Sequence, residues 1–565
     1  MNEKPGQPSN YGPAIAASFT SLFLYLVLFF ARALDDNRSI SWADVFTVAD
    51  PVRVFLFLAL CILAAWALSR LSLLERYPSL FLFFSSFMLT APFWSGPEII
   101  VDASRYFAQA KHLELYGVGF FLREWGRDIA IWTDMPVVPF FYGLIFKFFG
   151  ENRLYIQIFT TLLFSLSTVL TYLIGKKLWD ADTGFYAGML LLGIPYLYTQ
   201  IPLMLVDVSA MFFLLLAILF FLTALENGRI LSILLSSVAI TLAFYSKYSM
   251  GMMLSVLPVL ALTYRSSLPG LRTSAYMGRV FAVFLTSAFL IGMVFVYKFG
   301  PMSEQLSLLL SYQKPGLRRW GESFISTFFF QIHPMITMAA GYSVYAAFKR
   351  KDIRYTGVLW LLVLVIVFQI RRIRYIIMVF PMLALMASYG LQQIRQKELI
   401  RFISLSIVAF SFAVGAFAYL PFLQKNSASN LMNAGKYLDS LGMAEAEVFT
   451  VLSENSFVNP AVAVPVLDLF TKTELHYNYA GEKPSSGADM SRSPLRFSWE
   501  YKNPKYYKLA EKTDGTAPAV VIISDGAVKE IPAEIKQKIT GLSKNASFVT
   551  TDNIYEYQTV VTVYY

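Results

Sequence analysis

The chain has 565 residues, 56% of them hydrophobic, 16% aromatic and only 15% charged, with a mean hydropathy of +0.54. A soluble protein carries roughly 25% charged residues, so this composition excludes a soluble globular chain and implies many membrane spans. The net charge of +10 does not call for nucleic acid, because Arg and Lys concentrate in short loops between apolar runs, as the positive-inside rule requires.

Apolar runs that span a bilayer, or nearly so, fall at about 13–34, 52–70, 78–97, 154–175, 184–202, 205–224, 230–246, 249–264, 280–299, 323–348, 355–370, 376–392 and 402–421, about thirteen in all. The first run, Ala14 to Ala33, lacks a basic leader and a small-residue cleavage site, so it reads as a retained helix rather than a signal peptide. The single cysteine, Cys61, lies inside the second run, so neither a disulfide framework nor a cysteine metal site is expected.

Loop charges set the orientation. Arg70 and Arg76, Lys176 and Lys177, Arg265, Arg272 and Arg279, Lys349 to Lys351, and Arg395 to Arg401 belong on the inside. The loop from Asp35 to Asp50 carries four aspartates and fits outside. These assignments agree if the N-terminus is inside and the run Pro136 to Phe149 does not cross. That run is short and Pro-initiated, which suits a juxtamembrane segment.

Asp102, Asp134, Asp207, Lys247 and Arg371 to Tyr375 then fall at one outer boundary. An ionisable residue at membrane depth is expensive, and it is seldom kept there without a task. Asp102, Arg105 and Tyr106 are spaced i, i+3 and i+4, one face of a helix. Asp134 precedes a Pro-fixed segment and reads either as a helix N-cap or as a ligand for a metal or hydroxyl. Lys247 separates two apolar runs, as a snorkelling lysine or a cation aimed at a phosphate. Arg371, Arg372 and Arg374 lie within four residues. At an outer boundary they oppose the usual charge bias, and their planar donor forks suit phosphate oxygens. His112, His333 and His476 show no metal-ligand spacing. No Walker loop or dinucleotide fingerprint is present, so no nucleotide cofactor is expected. An outward-facing enzyme without nucleotide needs a membrane-carried donor.

After Pro421 the composition becomes that of an ordinary soluble domain. Helix-like stretches (Ser429 to Leu441, Ile531 to Leu542) alternate with strand-like ones (Glu447 to Leu452, Ala519 to Ser524, Thr559 to Tyr565), and Ser485 to Ser493 reads as a polar loop. The expected organisation is an N-terminal helix pair (1–77), a catalytic transmembrane domain (78–421) with an extracytoplasmic juxtamembrane loop (98–153), and a small extracytoplasmic α/β domain (422–565).

These residues resemble the C-type membrane glycosyltransferases, in particular the group of protein O-mannosyltransferases and the lipid A aminoarabinose transferase. The resemblance rests on five motifs in order: Asp102-Ala103-Ser104-Arg105-Tyr106; Asp134-Met135-Pro136 leading to Phe149-Gly150-Glu151-Asn152; Leu205-Val206-Asp207; Ser246-Lys247; and Arg374-Tyr375 ahead of Pro381. It departs from the group at Tyr248, where a glycine is usual after the lysine. It implies an α-helical polytopic fold and transfer of a sugar, with inversion, from a polyprenyl-phosphate donor to a hydroxyl on a protein, lipid or glycan. It places the enzyme at the outer face of a prokaryotic plasma membrane, among membrane lipids and without nucleic acid. Asp102 would orient and deprotonate the acceptor. Asp207 would hold the acceptor or orient Arg105. Arg105, Tyr106, Lys247, Arg371, Arg372, Arg374 and Tyr375 would bind the substrate and its phosphate. A divalent cation, Mg²⁺ or Mn²⁺, would find hard ligands in Asp102 and Asp134. The competing reading is a transporter or flippase, but such proteins favour midplane polar groups and internal repeats.

Overall fold

The computed structural model describes residues 12–71, 75–131, 134–308, 310, 321–426, 428–452, 458–477, 496–508, 519–526, 531–552 and 557–565. The polar loop Ser485 to Ser493 lies outside them. Among the described residues, seven helical stretches are long and apolar enough to cross a membrane: Gly12–Phe30, Pro51–Ser69, Arg153–Leu178, Asp207–Asn227, Thr273–Tyr297, Ile373–Leu391 and Lys397–Asn426. An eighth is reached if Pro78–Ser95 is counted with Ile100–Glu124, which it meets at 106°. The chain is thus a multi-pass membrane protein.

The other apolar runs are helical as well, but short or broken. The run at 184–202 becomes Ala181–Leu192 and Pro195–Gln200, interrupted ahead of a proline that has no N–H to give. The run at 249–264 splits into Met250–Met253 and Val256–Thr263. The run at 323–348 enters as a π-helix, Ser326–Ile332, and restarts at Pro334.

The basic loops gather at one end of the bundle. Arg401 bonds Glu75 at 2.9 Å, Lys177 pairs with Glu226, and Arg279 donates to the carbonyls of Leu225 and Glu226 at 2.8 and 2.7 Å. Arg354 reaches the Leu178 carbonyl at 2.7 Å, and Lys397 pairs with Asp182. Asp207–Asn227 runs away from this end, with Glu226 near its close and Asp207 at its start. Its 21 residues put those two carboxylates about 30 Å apart, the thickness of a hydrocarbon core.

At the far end lie two juxtamembrane helices. Ile100–Glu124 turns sharply from the span before it and bends again at Gly117, where φ is 83° and only glycine is comfortable. Val137–Phe149 packs against it. At 13 residues this helix is about 20 Å long, too short to cross. The two helices meet closely through Gly143, where a Cβ would lie 2.6 Å from Leu113 Cβ and 2.9 Å from the Ala110 carbonyl oxygen. We read both as lying outside the spans.

The C-terminal segment forms a five-stranded sheet in the order β2-β1-β3-β5-β4. The strands are β1 (Glu445–Val451), β2 (Glu474–Tyr477), β3 (Val520–Ser524), β4 (Asn545–Asp552) and β5 (Tyr557–Tyr564). β1 pairs in parallel with β2 and β3, while β5 runs antiparallel to β3 and β4. Three of these strands match the apolar stretches read from the sequence. β2 has only four residues and β4, at the sheet edge, is mostly polar, so neither shows as an apolar run. Its helices include Ser429–Leu441, as expected, Ala533–Ile539, shorter than expected, and Val464–Leu469, which the sequence reading did not single out. This domain shares a core with the juxtamembrane helices: Val101, Tyr106, Phe107, Tyr142 and Phe146 pack with Leu431, Val448, Val466 and Leu467. It therefore sits at the end of the bundle opposite the basic loops.

Candidate active site

A single line of alternating charge crosses that end. Asp134 Oδ1 lies 3.3 Å from Arg105, and Arg105 donates to Asp102 Oδ1 at 2.7 Å. Arg374 Nη1 donates to Asp102 Oδ2, and Arg374 Nε donates to Asp207 Oδ2 at 3.0 Å. Lys247 closes the line on Asp207 Oδ1 at 2.5 Å.

Local structure explains why each group is there. Ile100–Glu124 carries Asp102, Arg105 and Tyr106 on one face, as their spacing predicts. Asp207 opens its helix, where a carboxylate is favoured by the helix dipole. Lys247 lies between Ile230–Phe244 and Met250–Met253. Arg374 and Tyr375 lie in the short helix Ile373–Val379 ahead of Phe380–Leu391.

Asp134 is not a helix cap: Pro136 holds that position and gives no side-chain bond. Asp207 does not orient Arg105 but holds Arg374 and Lys247. Tyr375 lies under two cations, 5.8 Å from Lys247 and 5.6 Å from Arg372. Arg371 stands apart; it is exposed, donates to Gln369 at 2.7 Å and lies over Phe324. Burial raises the Glu322 carboxyl above its ordinary value, and the nearby Arg372 guanidinium pulls the other way.

The two juxtamembrane carboxylates are tuned apart. Burial works against the charge on Asp102, but Arg374 and Arg105 outweigh it and hold the group well below the usual carboxylate range. Burial dominates at Asp134 and pushes it up to about 6, with Arg105 pulling the other way. Asp102 is also the more open of the two, at 21% side-chain exposure against 3%.

Sequence reasoning passed over Gln109. It is buried, donates to Asp134 Oδ2 at 3.0 Å and accepts from Trp125 Nε1 at 3.2 Å. The signal was present, since Gln109 lies seven residues after Asp102 on the same helical face. Glu98 is a second residue that no motif in the sequence singles out. It is buried, accepts from Arg153 at 2.8 Å and from the Met204 N–H at 3.1 Å, and so ties three segments around the site.

A second ionic node seats the C-terminal domain. Lys111 donates to Asp468 at 2.7 Å and lies 3.2 Å from Glu151, and Tyr507 donates to Asp468 at 2.6 Å. Burial, then the charge on Asp468, raises the Glu151 carboxyl well above its ordinary value. Lys111→Met strands these carboxylates, and the node should weaken by about 3 kcal/mol. Hydrogen exchange along Ile100–Glu124 should rise in this variant. The loss should shrink as pH falls, because protonating Glu151 leaves Asp468 as the one stranded carboxylate of the two. Unchanged exchange at neutral pH would refute this role for Lys111.

Residues 134–291 match the family described as dolichyl-phosphate-mannose-protein mannosyltransferase, a stretch that holds Asp134, Asp207 and Lys247. The chain resembles the C-type membrane glycosyltransferases. In fold it is similar to ArnT from Cupriavidus metallidurans bound to undecaprenyl phosphate, at 11% identity and a TM-score of 0.50, over 87% of this chain and 97% of that one. The Archaeoglobus fulgidus oligosaccharyltransferase AglB, solved with an inhibitory peptide and a dolichol-phosphate, matches at 11% identity and a TM-score of 0.47, over 80% and 70% of the two chains. No curated protein matches the chain by sequence.

Proposed function

We propose that this protein transfers a sugar from a polyprenyl-phosphate donor to a hydroxyl acceptor, with inversion, at the outer face of the membrane. The observation that carries the reading is the charge line from Asp134 through Arg105, Asp102, Arg374 and Asp207 to Lys247. It joins residues scattered along the chain at the end of the bundle away from the basic loops.

The residue chemistry supports each part of the transfer. An arginine has five N–H donors and a lysine three. Arg374 and Lys247 each spend only part of that capacity on carboxylates, leaving donors for a phosphate. The line itself balances three carboxylates against three cations, and Arg372 adds positive charge close enough to act on Asp102. The donor phosphate would lie against Lys247, Arg374 and Arg372. The bond from the sugar's anomeric carbon to the phosphate oxygen breaks, and these cations stabilise the charge that develops there. The acceptor oxygen forms the new bond from the opposite face and passes its proton to Asp102.

A divalent cation has no part in this reading. Arg105 bonds both Asp102 and Asp134 and stands where a shared ion would sit. Among the described residues no group of three His, Cys, Asp or Glu side chains is arranged to hold a metal.

The direct test is transfer of a radiolabelled sugar from a panel of polyprenyl-phosphate donors by the purified protein in liposomes. Failure with every donor, for protein that still binds polyprenyl phosphate, would leave a carrier rather than a transferase. Orientation has its own test. A reporter active only in the cytosol, fused after Tyr565, should be silent; a bright signal would place the site on the wrong face.

A further inference from the structure

A small, open cleft lies beside the charge line, between the helix Ile100–Glu124, residues 128–130 and residues 501–504 of the C-terminal domain. Arg105, which bonds Asp102, lines its inner end.

The lining is built for a ligand with hydroxyl groups. Ser104 lines the cleft at 0% exposure, and its hydroxyl has no hydrogen-bond partner among the described residues. A helical serine can donate to the carbonyl four residues back, but Ser104 makes no such bond. His112 Nδ1 lies 2.7 Å from the Ala108 carbonyl and so carries the ring proton, which leaves Nε2 as an acceptor. Burial lowers the His112 pKa and keeps the ring neutral. Lys502 and Asp128 supply a donor and an acceptor at the exposed rim. Ala108, Ala130 and Tyr501 give small and aromatic surfaces between them.

We infer that this cleft binds an oligosaccharide portion of the acceptor, whose reactive hydroxyl then points toward Arg105 and Asp102. The inference rests on the transferase reading above and adds the acceptor's chemical class and the part the C-terminal domain plays in choosing it. Sugar hydroxyls both donate and accept, and the cleft offers both kinds of partner at short range. An extended peptide is less well served. Pro504 has no N–H, the Asn503 amide donates to the Tyr477 carbonyl, and the Asn503 oxygen accepts from Tyr501.

The test uses the full-length protein in a sugar-free zwitterionic detergent. Binding of maltotriose, of mannotriose and of a Ser/Thr-rich heptapeptide is titrated by saturation-transfer NMR. Undecaprenyl phosphate is followed in parallel by thermal shift. At least one trisaccharide should bind. Ser104→Ala should weaken it about fivefold, the worth of one hydrogen bond. Ala130→Trp, which fills the cleft from a loop, should abolish the signal. Both variants should keep the wild-type shift with undecaprenyl phosphate, which also shows that they are folded. Trisaccharide binding that is absent, or equal in all three proteins, overturns the inference, as does a peptide signal that Ala130→Trp removes. Loss of the undecaprenyl phosphate shift in the wild type would instead count against the transferase reading.

Discussion

Asp102→Asn should lose at least about 100-fold in turnover, the loss typical of a positioned base, while the protein stays folded. Asparagine keeps the size of the side chain and one acceptor oxygen, but it takes no proton. The structure adds a second expectation. Asp102 neutralises Arg105 and Arg374 together, so the variant leaves the site one charge more positive. Donor phosphate should therefore bind as well as in the wild type or better, and the whole loss should appear in kcat. Near-normal turnover at matched expression would remove Asp102 from the reaction. A loss confined to donor affinity would mean that its task is to hold Arg374.

Arg374→Ala should weaken donor binding by roughly tenfold or more, because one charge-assisted bond to phosphate contributes about 1.5–3 kcal/mol. It should also reduce stability, since the fully buried Asp207 keeps only Lys247 as a cationic partner. Arg374→Lys should recover part of the affinity, because one ammonium does not reach two carboxylates and a phosphate as a planar fork does. Arg372→Ala should cost less, with Glu322 nearby to lose its partner, and Arg371→Ala least, because Arg371 is exposed and turned toward Gln369 and Phe324. If these arginines only anchored helix ends in lipid headgroups, Arg374→Lys would be silent. Thermal shifts with polyprenyl phosphate for wild type and the four variants separate the two views. Equal shifts throughout would sink the phosphate site and weaken the transferase reading with it.

Much of this was legible in the sequence because its signals are local. An apolar run declares a helix by its length, and a lone carboxylate inside one, such as Asp207, declares a task by its cost. The spacing of Asp102, Arg105 and Tyr106 set their common face, and the basic loops marked the opposite end of the bundle. The C-terminal change of composition marked a separate domain and three of its five strands.

What the sequence could not carry was partnership. Arg374 and Asp102 are 272 residues apart, and either could have been assigned to several charges on the same face. Only packing decided that Arg374 bridges Asp102 and Asp207, that Lys247 takes the other oxygen of Asp207, and that Arg105 separates Asp102 from Asp134. The same holds for Lys111 and Asp468, which join the two halves of the molecule. A charge pair depends on distance and burial, and both arise only when distant segments meet. Composition and periodicity therefore determined the class of the protein, its faces and the candidate residues. The tertiary structure decided which of those residues touch, and so what the site is able to do.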